Sequence, residues 1–238
     1  HGFARAVIKR IRALNGNVVT LGAADADFEL DLTDAASVET AMESFKARFD
    51  RVDGLIHLAP LNYYFDREPD SPAALSVTIK SAFVMVKALY PQLDRAGTVI
   101  GTLAFDSVVL PYLDDCGPIH PLFAGLAGML KTVNKELDAT RVKVVDFSYK
   151  QPKKSIAVIC DRFLEELLGP DDRCEVGYKN KKRYAVAMTP EPAGRQAPLV
   201  RPGDTLLVTG GAGGITYEII KQVVETYPVN LVILDIML

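Results

Sequence analysis

The residue types most suited to chemistry cluster in Val208 to Lys221, VTGGAGGITYEIIK. An apolar strand, Asp204 to Gly210, runs into a glycine-rich turn, Thr209-Gly210-Gly211-Ala212-Gly213-Gly214-Ile215. An apolar-periodic helix, Ile215 to Thr226, follows it. Glycine lets a backbone approach an anion closely, and a helix N-terminus offers N–H donors and a positive dipole end. In a strand–turn–helix context that combination suits the pyrophosphate of a dinucleotide. The next strand, LVILD, ends on Asp235. A carboxylate there can accept both ribose hydroxyls and would repel a 2′-phosphate. Thr209, Gly210, Gly211, Ala212, Gly213, Gly214, Ile215 and Asp235 are therefore the expected cofactor-binding residues.

A second pattern overlaps the first. Tyr217 and Lys221 stand in a Tyr-x-x-x-Lys spacing that resembles the catalytic pair of the short-chain dehydrogenase/reductases, and the resemblance implies a Tyr general acid whose pKa the Lys lowers. Yet they stand one turn into the helix that would carry the pyrophosphate, at the wrong end of the cofactor for catalysis. Tyr178 and Lys182 repeat the spacing across a β-hairpin and fail on context as well. Cys116, Cys160 and Cys174 are isolated and odd in number, and with three scattered histidines they form no metal-binding spacing. Reduced thiols of a cytoplasmic protein, and no metal, are expected.

The 238 residues are 49% hydrophobic and 24% charged, with a net charge of −3. That supports a sizeable core and gives nucleic acid nothing to bind, because Lys and Arg are scattered and outnumbered. No apolar run is expected to reach the roughly 20 residues of a membrane helix.

The remaining elements alternate. Helices are expected over Ala4–Leu14, from Thr33 or Asp34 to Phe49, over Ala73–Leu89 (stopped before Pro91), Pro121–Leu137 and Ser155–Leu168. Strands are expected at Asn17–Gly22, Asp53–Ala59, Thr98–Leu103 and Val142–Phe147. This is an α/β, Rossmann-like, doubly wound parallel sheet. CEVGYKNKKRYAVAM reads as a closing hairpin with a solvated, lysine-rich tip. Thr189 to Gly203 is a Pro- and Gly-rich connector. Residues 1–188 thus form one region and 204–238 a single strand–helix–strand unit, which alone cannot bury both faces of its sheet. The chain opens inside a helix and closes on a strand, so it reads as a piece of something longer.

Three segments, in order, resemble the ketoreductase domain of polyketide and polyunsaturated-fatty-acid synthases, a branch of the short-chain dehydrogenase/reductases. FAGLAGMLKTVNKELDATRVKVVDFS (Phe123 to Ser148) and the EVGY…RY hairpin are similar to that domain's structural subdomain, a Rossmann half without chemistry. TLLVTGGAGGIT is similar to the opening of its catalytic subdomain. The resemblance implies reduction of a β-ketoacyl group on an acyl carrier protein, NADPH as cofactor, and other synthase domains as partners. It also implies erased chemistry in the first region. Thr102-Leu103 stand where an active reductase has its Ser, Phe123 and Ala127 where it has Tyr and its partner, and Leu58 to Leu61 where a cofactor-supporting Asn-Asn-Ala-Gly would lie. Lys80 falls where these ketoreductases keep their catalytic Lys, but in the wrong half. His57 reads as a core histidine and His120 as a loop residue. No catalytic residue is expected in this chain; the missing groups would lie beyond Leu238. Two positions depart from the family pattern. Thr216 replaces a third glycine, and Asp235-Ile236 replace Gly-Arg, which makes NADH possible. The alternative reading is a non-catalytic scaffold or docking element of an inactive ketoreductase.

Overall fold

The structure is a computed structural model, and it describes residues 2–66, 71–113, 119–148, 156–191 and 200–236. Cys116, Met237 and the middle of the Pro-rich connector lie outside the described residues. The chain divides into two compact units, His1–Ala187 and Met188–Leu238.

The first unit is built on a five-stranded sheet of order β3 (Gly54–His57), β4 (Val99–Phe105), β5 (Arg141–Phe147), β6 (Glu175–Lys179) and β7 (Lys182–Ala185). The first four strands are parallel, and β7 returns antiparallel to β6. Asn180 and Lys181, both with positive φ, make the two-residue turn between them. Every residue of β4 and β5 after the first is buried, as befits a parallel sheet covered on both faces. Gly101 lets helix α7 (Ile156–Leu168) lie close on β4: a Cβ there would meet Leu167 Cδ1 at 2.9 Å and Phe163 Cζ at 3.0 Å. Helix α1 (Gly2–Ala13) packs on α7 and is tied to it by an Arg10–Asp161 ion pair.

Helix α2 (Ala35–Arg48) starts where Asp34 accepts the Ala36 amide at 3.1 Å, and it buries Val38, Ala41, Met42 and Phe45 on one face. That face packs against a helical run from Pro72 to Leu93. The run consists of α4 (Pro72–Leu75), a π-helical turn (Ser76–Lys80) and α5 (Ser81–Leu93). Here the expected stop before Pro91 is wrong. Pro91 lies in the last turn, where a single main-chain bond is lost, and burying Leu89 and Leu93 carries the helix through it. The expectation on apolar runs also needs correction. These 22 residues are long and apolar enough, by length and composition, to cross a membrane, but 44% of the tested stretch is buried in the protein.

The expected strand Asn17–Gly22 is mostly irregular. Only Leu21–Gly22 (β1) is extended, and it pairs with Phe28–Glu29 (β2) in a small parallel ladder separate from the main sheet. A short helix, α3 (Pro60–Asp66), was not foreseen. Helix α6 (Pro121–Glu136) lies against β5 and buries Phe123, Leu126, Ala127, Leu130 and Val133.

The second unit is one strand–helix–strand motif: β8 (Thr205–Thr209), α8 (Gly214–Thr226) and β9 (Asn230–Leu234), with β8 and β9 parallel. Ile220 is its buried hydrophobic residue, while Leu207, Ile219, Ile233 and Leu234 remain exposed. A two-stranded sheet with one helix cannot cover both of its faces.

Candidate dinucleotide site

In the second unit the chain leaves β8 at Thr209 and must reverse within a few residues to start α8. Two glycines make that possible: Gly210 has φ +65° and Gly214 has φ +51°, the left-handed region that a Cβ disfavours. Gly211 does a different job. It is buried, and a Cβ on it would meet Ile220 Cδ1 at 2.9 Å, Ile233 Cγ2 at 3.0 Å and Val208 Cγ1 at 3.2 Å. Its lack of a side chain lets helix and strands close together. Nothing lies within 4 Å of the Cβ positions of Gly210, Gly213 and Gly214, so the outer surface of the turn is open backbone. Gly213 is the N-cap of α8, with no side-chain cap. The N–H groups of the first turn have no acceptors within their own helix and carry the positive end of its dipole.

Asp235 comes back to this turn from the end of β9. Its Oδ2 accepts the Ala212 N–H at 2.7 Å, and its Oδ1 accepts the Ile236 N–H at 2.8 Å. The Gly210 amide donates to Leu234 O at 2.8 Å, which fixes the turn to the end of β9. The eight expected residues thus lie around one turn, with Ile215 exposed beside it. A cradle of amides left open by absent side chains fits a dinucleotide phosphate.

Neither Tyr–Lys pair forms a catalytic arrangement. Tyr217 and Lys221 are exposed on α8. Tyr178 is buried, stacks on Phe147 with ring centroids 5.4 Å apart, and donates its hydroxyl to Glu166. Burial and the Glu166 carboxylate push its phenol up to about 12.

In the first unit the positions matched to reductase catalysis are packed. Thr102, Leu103, Phe123 and Ala127 are all buried, and the Thr102 hydroxyl donates to His57 O at 2.8 Å. The His57 ring nitrogen Nε2 lies 3.0 Å from Val77 O and 3.1 Å from Thr78 O. Burial lowers its pKa to about 4, so it is neutral at physiological pH. Lys80 is exposed. His120 is buried as the N-cap residue of α6, with its amide bonded to Ser107 Oγ at 2.9 Å. Burial raises the Cys160 and Cys174 thiols to about 11, far from reactive thiolates.

Two buried polar groupings escaped the sequence analysis, although RVKVVDF, an apolar strand interrupted by Lys and Asp, carried their signal. Asp146, fully buried, accepts four backbone amides: Ser107 at 3.3 Å, Val108 and Val109 at 2.9 Å and Leu110 at 3.0 Å. Burial raises its pKa, against the pull of those four donors. Lys143, also fully buried, donates to Arg173 O at 2.7 Å and lies 3.7 Å from Glu166 and 3.8 Å from Asp171. Arg183 grips Glu166 at 2.6 Å and 2.9 Å and Asp171 at 2.8 Å. This cluster pins β7 to α7 and β5.

No protein-family model matches the sequence, and no curated protein matches it. Solved structures do. One is the multidomain structure of adenylation, ketoreductase and pseudo-Asub domains of a keto acid-selecting NRPS module. It matches with a TM-score of 0.66 and 20% identity, over 98% of this chain and 20% of that one. A second, an N-terminal ketoreductase from the macrolactin assembly line, matches with a TM-score of 0.59 and 16% identity, over 97% of this chain and 46% of that one. A third, a 3-α-hydroxysteroid dehydrogenase from a Pseudomonas species complexed with NADH, matches with a TM-score of 0.53 and 15% identity, over 71% of this chain and 84% of that one. The chain thus spans less than half the length of either ketoreductase structure. By its architecture, this chain has the short-chain dehydrogenase/reductase fold in the form taken by ketoreductase domains.

Proposed function

We propose that the chain is part of a β-ketoacyl reductase of a multidomain synthase, which converts a β-keto thioester on an acyl carrier protein to the β-hydroxy thioester. In this reading His1–Ala187 is a non-catalytic scaffold and Met188–Leu238 supplies the cofactor turn. The observation that carries it is the open backbone of Gly210, Gly213 and Gly214 at the start of α8, in a fold shared with ketoreductases.

A bound nicotinamide dinucleotide would supply the hydride for the ketone carbon. The chain's own residues bind and orient it. The turn Thr209–Ile215 presents amides and a helix dipole to the pyrophosphate, and Asp235 meets the adenosine ribose. In this reading the ketone oxygen takes its proton from groups outside this chain; the burial of Thr102, Leu103, Phe123 and Ala127, the positions matched to the family's catalytic residues, supports it. The ketoreductase resemblance favours NADPH, but a carboxylate facing the turn disfavours a 2′-phosphate, so NADH serves at least as well.

Gly213→Val tests this reading. Its φ of −128° suits any residue and its Cβ enters open space, so the fold is spared while the pyrophosphate is obstructed. In the synthase carrying this chain, β-ketoacyl thioester reduction should fall by at least about 100-fold, whereas Phe123→Leu should leave turnover per folded enzyme unchanged. Full activity in Gly213→Val would contradict the reading.

A further inference from the structure

Helix α1 ends in a tight cap. Asn15 takes the left-handed conformation with φ +62°, and its amide donates to Arg12 O at 3.0 Å. The Gly16 amide donates to Ile11 O at 2.9 Å. That bond brings Gly16 so near the helix that a Cβ on it would meet Ile11 Cγ2 at 2.5 Å. The cap therefore requires glycine directly after Asn15. The same glycine leaves the Asn15 carboxamide open to attack by the main chain, because no side chain shields the nitrogen that follows it. Of the six asparagines, Asn15 alone precedes glycine; Val18, Tyr63, Lys135, Lys181 and Leu231 follow the others. Asn15 is also exposed, at a helix end, where fraying begins.

We propose that Asn15 is a site of spontaneous covalent modification, converting to aspartate and isoaspartate when the α1 cap opens. Solvent base takes the proton of the Gly16 amide, and its nitrogen attacks Cγ of Asn15. The new N–Cγ bond closes a succinimide ring, the Cγ–Nδ2 bond breaks, and ammonia leaves with a proton from water. Water then opens the ring. Attack at Cγ gives aspartate, and attack at the main-chain carbonyl gives isoaspartate. While Ile11 O holds the Gly16 N–H, the nitrogen is neither free to turn toward Cγ nor readily deprotonated, so local opening gates the step. The products act on the helix. A carboxylate at this position meets the negative end of the α1 dipole. Isoaspartate adds a methylene to the main chain, which puts the Gly16–Ile11 bond out of register.

The test is incubation of the chain at mildly alkaline pH, folded and in urea, with peptide mapping by mass spectrometry for aspartate and isoaspartate at every asparagine. In the folded chain Asn15 should convert at least about fivefold faster than Asn180, which shares its exposure and a positive φ of +50° but precedes lysine. Urea removes the cap and should speed conversion at Asn15 by about tenfold or more. Gly16→Ala, compared with the parent in urea where no fold is at stake, should slow it by about tenfold. Three results would each overturn the proposal: another asparagine converting first in the folded chain, no conversion at Asn15 while the chain stays folded, or equal rates at Asn15 in the folded chain and in urea.

Discussion

The carboxylate of Asp235 accepts the amide of Ala212 at 2.7 Å, so the end of β9 and the glycine turn are joined by a charge-assisted bond. The side chain that was expected to choose the cofactor also positions the turn that would hold it. Each carboxylate oxygen keeps a second lone pair for a ribose hydroxyl.

Asp235→Ser should therefore act on both. In the synthase carrying the chain, the ratio of kcat/KM for NADH over NADPH should fall by about threefold or more, because a negative charge beside the 2′-phosphate is removed. A strong NADPH preference that the substitution leaves unchanged would show that Asp235 plays no part in cofactor choice.

Asp146 should be among the costliest single positions in the first unit. Asp146→Ala strands four amides in a buried loop. Unsatisfied buried donors cost about 1–3 kcal/mol each, partly relieved by relaxation or water. A loss of about 3 kcal/mol or more in urea unfolding is expected, with Asp146→Asn losing roughly half as much. A loss below about 1 kcal/mol for Asp146→Ala would contradict this role.

Much of this was legible beforehand and some was not. β4 and β5 announced themselves as unbroken apolar runs, and the turn Thr209–Ile215 as strand, glycines, helix. Pro91 misled because local rules end a helix at proline, whereas burial of Leu93 overrides them. β1 shrank to two residues because its partner is the short β2 and not the main sheet. Lys143 and Asp146 were visible letters with invisible partners. Their salt-bridge and amide contacts come from residues 20 to 40 positions away in the chain, which no local pattern encodes. The strand, glycine turn and helix that carry Thr209 to Ile215 were legible because that backbone pattern is local in sequence. The bond from Asp235 back to Ala212 was not, because it depends on how β9 pairs with β8.

His57 gives a pH signature. Burial keeps it neutral with a pKa of about 4 in the fold, against 6.5 in the unfolded chain. As pH falls below 6.5 the unfolded chain gains a proton that the folded one refuses, so stability drops until about pH 4 and then levels off. That is about 3 kcal/mol for this group. His57→Gln, which keeps a donor for Val77 O and Thr78 O without titrating, should show a shallower loss by about that amount over the same window. Parallel pH profiles for the two proteins would contradict it.

The central claim is that this chain carries a dinucleotide turn in one unit and a chemically silent scaffold in the other. Titrating the isotopically labelled chain with NADH and following backbone amide shifts tests it most directly. Shifts should appear at Gly210 to Ile215 and Asp235, vanish in Gly213→Val, and spare the β4–β5 region around Thr102 and Phe147. Shifts centred on that region of the first unit, or an unchanged response in Gly213→Val, would contradict the account.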